Sequence, residues 1–191
     1  MTAELEAFIR HARTWRKLHE KSTTDVRELA VLLPAACEAA DGADAHISVQ
    51  HISSVTPQVM PAERCIQRLH QTCCYFRSTL DAMETLHHTI MQRAALGGAA
   101  QVRCAAEQCT SNCDYAKFAD LAQWLAVRIQ MFQDDLDLKK SILEDVKLDS
   151  TAGTLQALAV TWAAQPDINE EHEAELAARI TFATERNNVS S

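Results

Sequence analysis

Three cysteines, Cys104, Cys109 and Cys113, follow the adjacent histidines His87-His88 along the chain. Thiolates and imidazoles are ordinary zinc ligands, so this set could hold a metal or carry thiol redox chemistry. Its x4 and x3 spacing lacks paired C-x2-C knuckles, however, and Ala105-Ala106 offers no donor to orient a ligand. Small buried or loop thiols are the plainer reading, and no cofactor is expected. His19 and His87 fall on apolar rows, where a histidine more often sets register than catalyses. Asp134, Asp135 and Asp137 read as a solvated face. There is no glycine-rich phosphate loop, nucleophile elbow or H-E-x-x-H motif, so no route leads to a named enzyme class. The chain is expected not to be an enzyme. Thr56-Pro57 is a minimal proline-directed kinase site, and a phosphate at Thr56 could order a loop.

These residues sit on elements the composition already favours. Of 191 residues, 47% are hydrophobic and only 5% aromatic, with 4 Gly and 4 Pro. Long helices fit that balance, whereas a sheet protein needs more turn residues. The net charge of -8 argues against a broad nucleic-acid footprint, which needs clustered Lys and Arg. The acidity is local: from Tyr115 onward there are 7 Lys/Arg against 13 Asp/Glu. No run of about 20 apolar residues suggests a membrane span, and no secretory signal is read at Met1 to Arg16. Seven cysteines, with Cys73 and Cys74 adjacent, suggest free thiols in a reducing compartment, the nucleus or cytoplasm.

Three long seams follow in order. Leu5, Phe8, Ala12, Trp15, His19, Ser22, Val26, Leu29 and Leu33 alternate by three and four, with His19 and Ser22 as polar interruptions. Pro34 should kink or end this helix, and Asp41-Gly42 should close any continuation. A loop is expected from Gly42 to Pro61, with Pro61 opening the second helix. That helix carries Ile66, Leu69, Cys73, Phe76, Leu80, Met83, His87, Ile90 and Ala94, and Gly97-Gly98 should end it. The third seam is Phe118, Ala122, Leu125, Ile129, Phe132, Leu136, Lys139, Leu143 and Val146. A helix from about Tyr115 to Leu148 would span roughly 50 Å.

The expected fold is therefore all-α: an elongated three-helix, coiled-coil-like bundle with a short C-terminal helical pair. Residues 1–114 would form a long hairpin with loops and 115–185 a C-terminal region, within one continuous domain.

The third helix carries a second apolar stripe of Leu121, Trp124, Met131, Leu138 and Ile142, about 110° from the seam. One face serves the bundle and the other needs a further partner. Lys139 either snorkels from the seam or is a buried charge paired with a carboxylate, on this chain or another. Asp149 or Ser150 can cap the next helix, which bears Leu155, Leu158 and Trp162. Gln165, before Pro166, should be extended. Trp162 is either core or an interface anchor. An acidic helix with Leu176, Ile180 and Phe182 would close the chain.

The pattern Met131-Phe132-x-x-x-Leu136-x-Leu138-Lys139-Lys140, then Leu155, Leu158 and Trp162-x-x-Gln165-Pro166-x-Ile168, resembles the C-terminal region of the cyclin-dependent kinase 2-interacting protein family. Trp15 with Leu18 is similar to that family's early tryptophan-leucine helix. The resemblance covers roughly Tyr115 to Ile180 and, more loosely, Phe8 to Leu33. Lys140 stands where the family has Arg, and Asp167 where it carries a larger residue. The resemblance implies an adaptor in replication and checkpoint control that also serves an AAA-ATPase assembly in large-ribosomal-subunit maturation. It implies hetero-oligomeric protein partners, cell-cycle kinases or ATPase subunits, with no direct nucleic acid and no membrane. Leu138, Lys139, Lys140, Trp162, Gln165 and Pro166, with Trp124 and Met131, are the expected protein-interaction residues. The structural alternative is a coiled-coil subunit of a tethering or chromosome-segregation complex.

Overall fold

The computed structural model describes residues 2–44, 52–104, 112–147 and 150–165, together with 168, 171, 174 and 178. Among them are four helices and no strand: α1 (Thr2–Asp44), α2 (Ile52–Cys104), α3 (Asn112–Asp145) and α4 (Ala152–Ala164). The all-α class is as expected. No helix of the described residues is long and apolar enough to cross a membrane.

Most of the described heptad positions are buried, while Ala12, His19, Ile66, His87, Ala94, Ile129 and Val146 are half-buried. Leu5, Phe8, Trp15, Ser22, Val26, Leu29 and Leu33 of α1 are buried, as are Leu69, Cys73, Phe76, Leu80, Met83 and Ile90 of α2. On α3 the buried set includes Ala122, Leu125, Phe132, Leu136, Lys139 and Leu143. Alternating three and four keeps such residues on one face of a helix, where they can pack against a neighbouring seam.

The helix ends differ from the punctuation. Pro34 lies inside α1, which continues through Asp41-Gly42 to Asp44. A helix-interior proline loses one backbone bond and costs about 3 kcal/mol. Leu33 and Ala36 on either side are buried, at 1% and 4% exposure, and a buried leucine returns about 1.5–3 kcal/mol. Burial on both sides offsets much of the proline's cost. Likewise α2 begins at Ile52, before Pro61, and passes Gly97-Gly98 to reach Cys104. Thr56-Pro57 thus falls within α2, its side chains outside the described residues.

Two compact units divide the chain. The first takes Met1–Thr14, Ser78–Asp134 and Asp167–Ser191. Its core holds Leu5, Phe8, Leu80, Met83, Ile90, Leu125 and Phe132, and the Arg128 guanidinium lies 5.0 Å over the Phe132 ring. Arg93 of α2 pairs with Glu4 of α1. The second takes Trp15–Arg77 and Asp135–Pro166. There Arg68 of α2 forks between Asp25 (2.9 Å) and Glu28 (2.7 Å) of α1. Thr151 caps α4, its Oγ1 accepting from the Thr154 N–H at 3.2 Å.

If flanking burial alone holds α1 together at Pro34, Pro34→Ala should stabilise the protein by up to about 3 kcal/mol and raise the thermal midpoint. A lowered midpoint would instead mean that the surrounding packing is built on the proline ring.

Candidate functional site

The second unit is organised around two charges with almost no access to water. Asp135 and Lys139 are one turn apart on α3, at 0% and 1% exposure. Lys139 Nζ donates to Asp135 Oδ1. Removing either partner alone would strand a buried charge, which is why such pairs are costly to break.

The rest of the site satisfies the carboxylate and covers the ammonium. Trp15 Nε1 of α1 donates to Asp135 Oδ2 at 3.0 Å, and Gln165 Nε2 donates to the same oxygen at 3.2 Å. The Lys139 ammonium lies 5.5 Å from the Phe76 ring centroid of α2 and 5.4 Å from that of Trp162 of α4. Both distances suit a cation over an aromatic face. Trp15 packs against Phe76 with centroids 4.5 Å apart. Trp162 Nε1 donates to Ser22 Oγ at 3.0 Å, and Ser22 Oγ donates to the His19 carbonyl at 3.0 Å. All four helices therefore meet at one charge pair.

Gln165 is placed by unusual backbone. It caps α4 with φ 42° and ψ 59°, the left-handed conformation rather than the extended one expected before Pro166. Glycine would take this conformation at least cost. A glutamine here keeps a side chain that reaches Asp135, so the strain is offset by a hydrogen bond to a charge.

Titration is shifted around the hub. Burial, then the nearby Lys139 charge, lowers His19 to about 4, with Asp135 opposing. Burial raises Cys73 to about 11 despite Lys139 and Lys140. Burial also pushes the Cys65 thiol up, with Arg68 opposing. These thiols are protonated at neutral pH and poor nucleophiles.

The expected interaction residues separate. Lys139 and Trp162 are interior, and of the two readings of Lys139 the structure has the buried charge, paired within its own chain. Lys140 is exposed and reaches Asp137 at 3.3 Å. Leu138 is half-buried, while Ile142, on the same stripe, is buried. Ile142 lines a gap of about 10 Å³ with Val26, Leu29, Leu69, Leu155 and Leu158. In this unit the further partner for the second stripe is α4 itself. Trp124 and Met131, in the first unit, are half-buried, and Pro166 lies outside the described residues.

One reading is corrected. Asp135 is not part of a solvated face; it is the fully buried acceptor of the hub. Its signal was available, since it precedes a seam lysine by four residues in the favourable acid-before-base order. Of the metal candidates, His87 instead places Nε2 3.0 Å from the Ala122 carbonyl. The side chains of Cys104, Cys109 and Cys113 lie outside the described residues, among which no metal-ligating group of three occurs.

Fold and hub together define an all-α bundle protein stapled by an internal charge network. The family model for the ribosome biogenesis protein C1orf109-like family, CA109-like, matches residues 6–184, and the chain belongs to that family. The family shown is thus not the cyclin-dependent kinase 2-interacting protein family that the Leu-Lys-Lys and Trp-x-x-Gln-Pro pattern suggested. Comparison with curated proteins gave no match.

Asp135→Ala should cost about 3–5 kcal/mol in denaturant unfolding, because it removes the buried carboxylate to which the Lys139 ammonium donates. Lys140→Ala, one residue along and exposed, should stay within about 0.5 kcal/mol. Equal effects would remove the hub from the account. His19 adds a pH dependence. Its folded value, about 4, is below the ordinary 6.5, so the neutral form is the folded one. The stability this gives is full above pH 6.5 and is lost as pH falls towards 4. His19→Gln should flatten the stability profile across that window, and an unchanged slope would contradict the assignment.

Proposed function

We propose that this chain is a non-enzymatic adaptor subunit acting in ribosome biogenesis, holding protein partners on a helical frame. The family supports the process. The observation that carries the adaptor role is α4, which has no charged residue yet leaves Val160 65% exposed, with Ala157 and Ala164 also exposed. An exposed valine beside alanines on a helix without charge suits a contact surface, because the cores of interfaces are depleted in charge. The hub fixes the inner face of this helix through Trp162 and Gln165, so its outer face is held rigidly. The half-buried Leu138 offers a further apolar contact on α3.

By the motif resemblance, the partners would be subunits of an AAA-ATPase assembly in large-subunit maturation. Cell-cycle kinases in replication and checkpoint control, and residence in nucleus or cytoplasm, are the finer parts of the same reading. The test is affinity purification with mass spectrometry, comparing wild type with Val160→Glu and Leu138→Asp. The ribosome-maturation partners recovered by wild type should be lost from both variants at unchanged helicity by circular dichroism. Unchanged recovery would move the interface elsewhere. Recovery of membrane-tethering or chromosome-segregation subunits in place of an ATPase would overturn the proposal in favour of the structural alternative.

A further inference from the structure

The charge of this chain is unevenly placed. Between Glu6 and Glu28 the exposed residues of α1 are Arg10, Arg13, Arg16, Lys17, Lys21 and Arg27, with Thr14, Glu20 and Thr24. Arg10, Arg13, Lys17 and Lys21 recur by three and four. At about 100° per residue they lie within about 80° of one another, opposite the buried row of Trp15 and Ser22, and Arg16 and Arg27 flank them. From Arg10 to Arg27 the row runs about 25 Å along the one continuous helix α1. The fold uses other cations. Arg68 pairs with Asp25 and Glu28, Arg93 with Glu4, and Lys139 with Asp135. Arg10, Arg13, Lys17, Lys21 and Arg27 make no ion pair among the described residues. Arg13 with Lys17, and Lys17 with Lys21, are like charges four residues apart, which weakens a helix. The charge of this row therefore gives the fold nothing.

We propose that the basic row of α1 is a docking face for the phosphate backbone of RNA. Six cations against the single acid Glu20 call for a polyanion. The make-up of the face decides which kind. Protein interfaces are anchored by apolar and aromatic side chains, whereas nucleic-acid interfaces are polar and strongly positive. No exposed residue of the row is apolar, which favours phosphates over an acidic protein. None is aromatic either, so bases have nothing to stack on and the contact is to the backbone of a duplex, without sequence preference. Arginine, four of the six, matches phosphate oxygens with paired donors. The choice of RNA among polyphosphates rests on the proposed role in ribosome biogenesis. The net charge of -8 argues against a broad footprint and not against a narrow one. Exposed acids gather elsewhere, as Asp134, Asp137, Glu144 and Asp145 do on α3.

Fluorescence anisotropy of two short RNA duplexes of unrelated sequence, titrated with the full chain over a range of salt, tests this. Both should bind equally. With about four phosphate contacts, log affinity should fall against log salt with a slope of roughly -3, or on the order of 50- to 100-fold between about 50 and 200 mM. Lys17→Gln with Lys21→Gln should reduce the slope by roughly 1.5–2 and leave the thermal midpoint unchanged or raised. The charge-matched control, Lys140→Gln with Lys147→Gln on α3, should bind as wild type does. No binding by wild type at low salt overturns the proposal, as does equal loss in the α1 and α3 variants. Polyglutamate bound as tightly as the duplex overturns it in favour of an acidic protein partner. Should the α1 variant lose helicity, Arg10→Gln with Arg13→Gln replaces it under the same outcomes. Val160→Glu and Leu138→Asp, on other helices, should bind the duplex as wild type does, so failure of the adaptor reading and failure of this one are separate results.

Discussion

A carboxylate and an ammonium taken out of water together each forfeit several kcal/mol of hydration, and their mutual attraction restores this only with good geometry and further donors. Asp135 and Lys139 impose that condition on the second unit. The carboxylate takes three donors, from Lys139, Trp15 and Gln165, and the ammonium lies under two rings, Phe76 and Trp162. The donors and rings come from α1, α2 and the end of α4, so satisfying one pair fixes the register of four helices. A slip of one turn in α1, α2 or α4 relative to α3 would take a donor from Asp135 or a ring from Lys139. Apolar seams tolerate such slips more readily, because one leucine can replace another.

The same constraint gives the residues of the Leu-Lys-Lys and Trp-x-x-Gln-Pro pattern their separate roles. Lys139, Trp162 and Gln165 face inward and bind the chain to itself, whereas Lys140 is exposed and Leu138 half-exposed. The left-handed backbone at Gln165 follows from this. Glycine would end α4 more comfortably but could not reach Asp135. The second stripe of α3 is likewise used within the chain at Ile142, where α4 covers it.

Much of this was legible in the sequence. Spacing by three and four identified the buried rows of α1, α2 and α3, because burial of such a row is what makes long helices pack. It also marked His19, Ser22 and Lys139 as polar interruptions, and these three prove to be one neighbourhood around the hub. The partner of Lys139 was missed because Asp135 sits among Asp134 and Asp137, although its place four residues before a seam lysine marked it, and the packing of Trp15 and Gln165 sets it apart. Helix ends were misjudged at Gly42, Pro61 and Gly97-Gly98, and α1 does not end at Pro34. A local breaker costs up to about 3 kcal/mol, and at Pro34 the burial of Leu33 and Ala36 offsets much of that. The family match runs over residues 6–184, far beyond the one C-terminal motif.

Lys139 is a cation held in a closed aromatic and carboxylate cage, and its own NMR signals report this most directly. In a lysine-labelled sample, the Lys139 ammonium protons should exchange slowly with water, and its terminal methylene should be shifted by the rings of Phe76 and Trp162. Contacts from that methylene to the Trp162 indole should accompany the shift. A Lys139 resonance at the position of exposed lysines, exchanging rapidly and without indole contacts, would contradict the account.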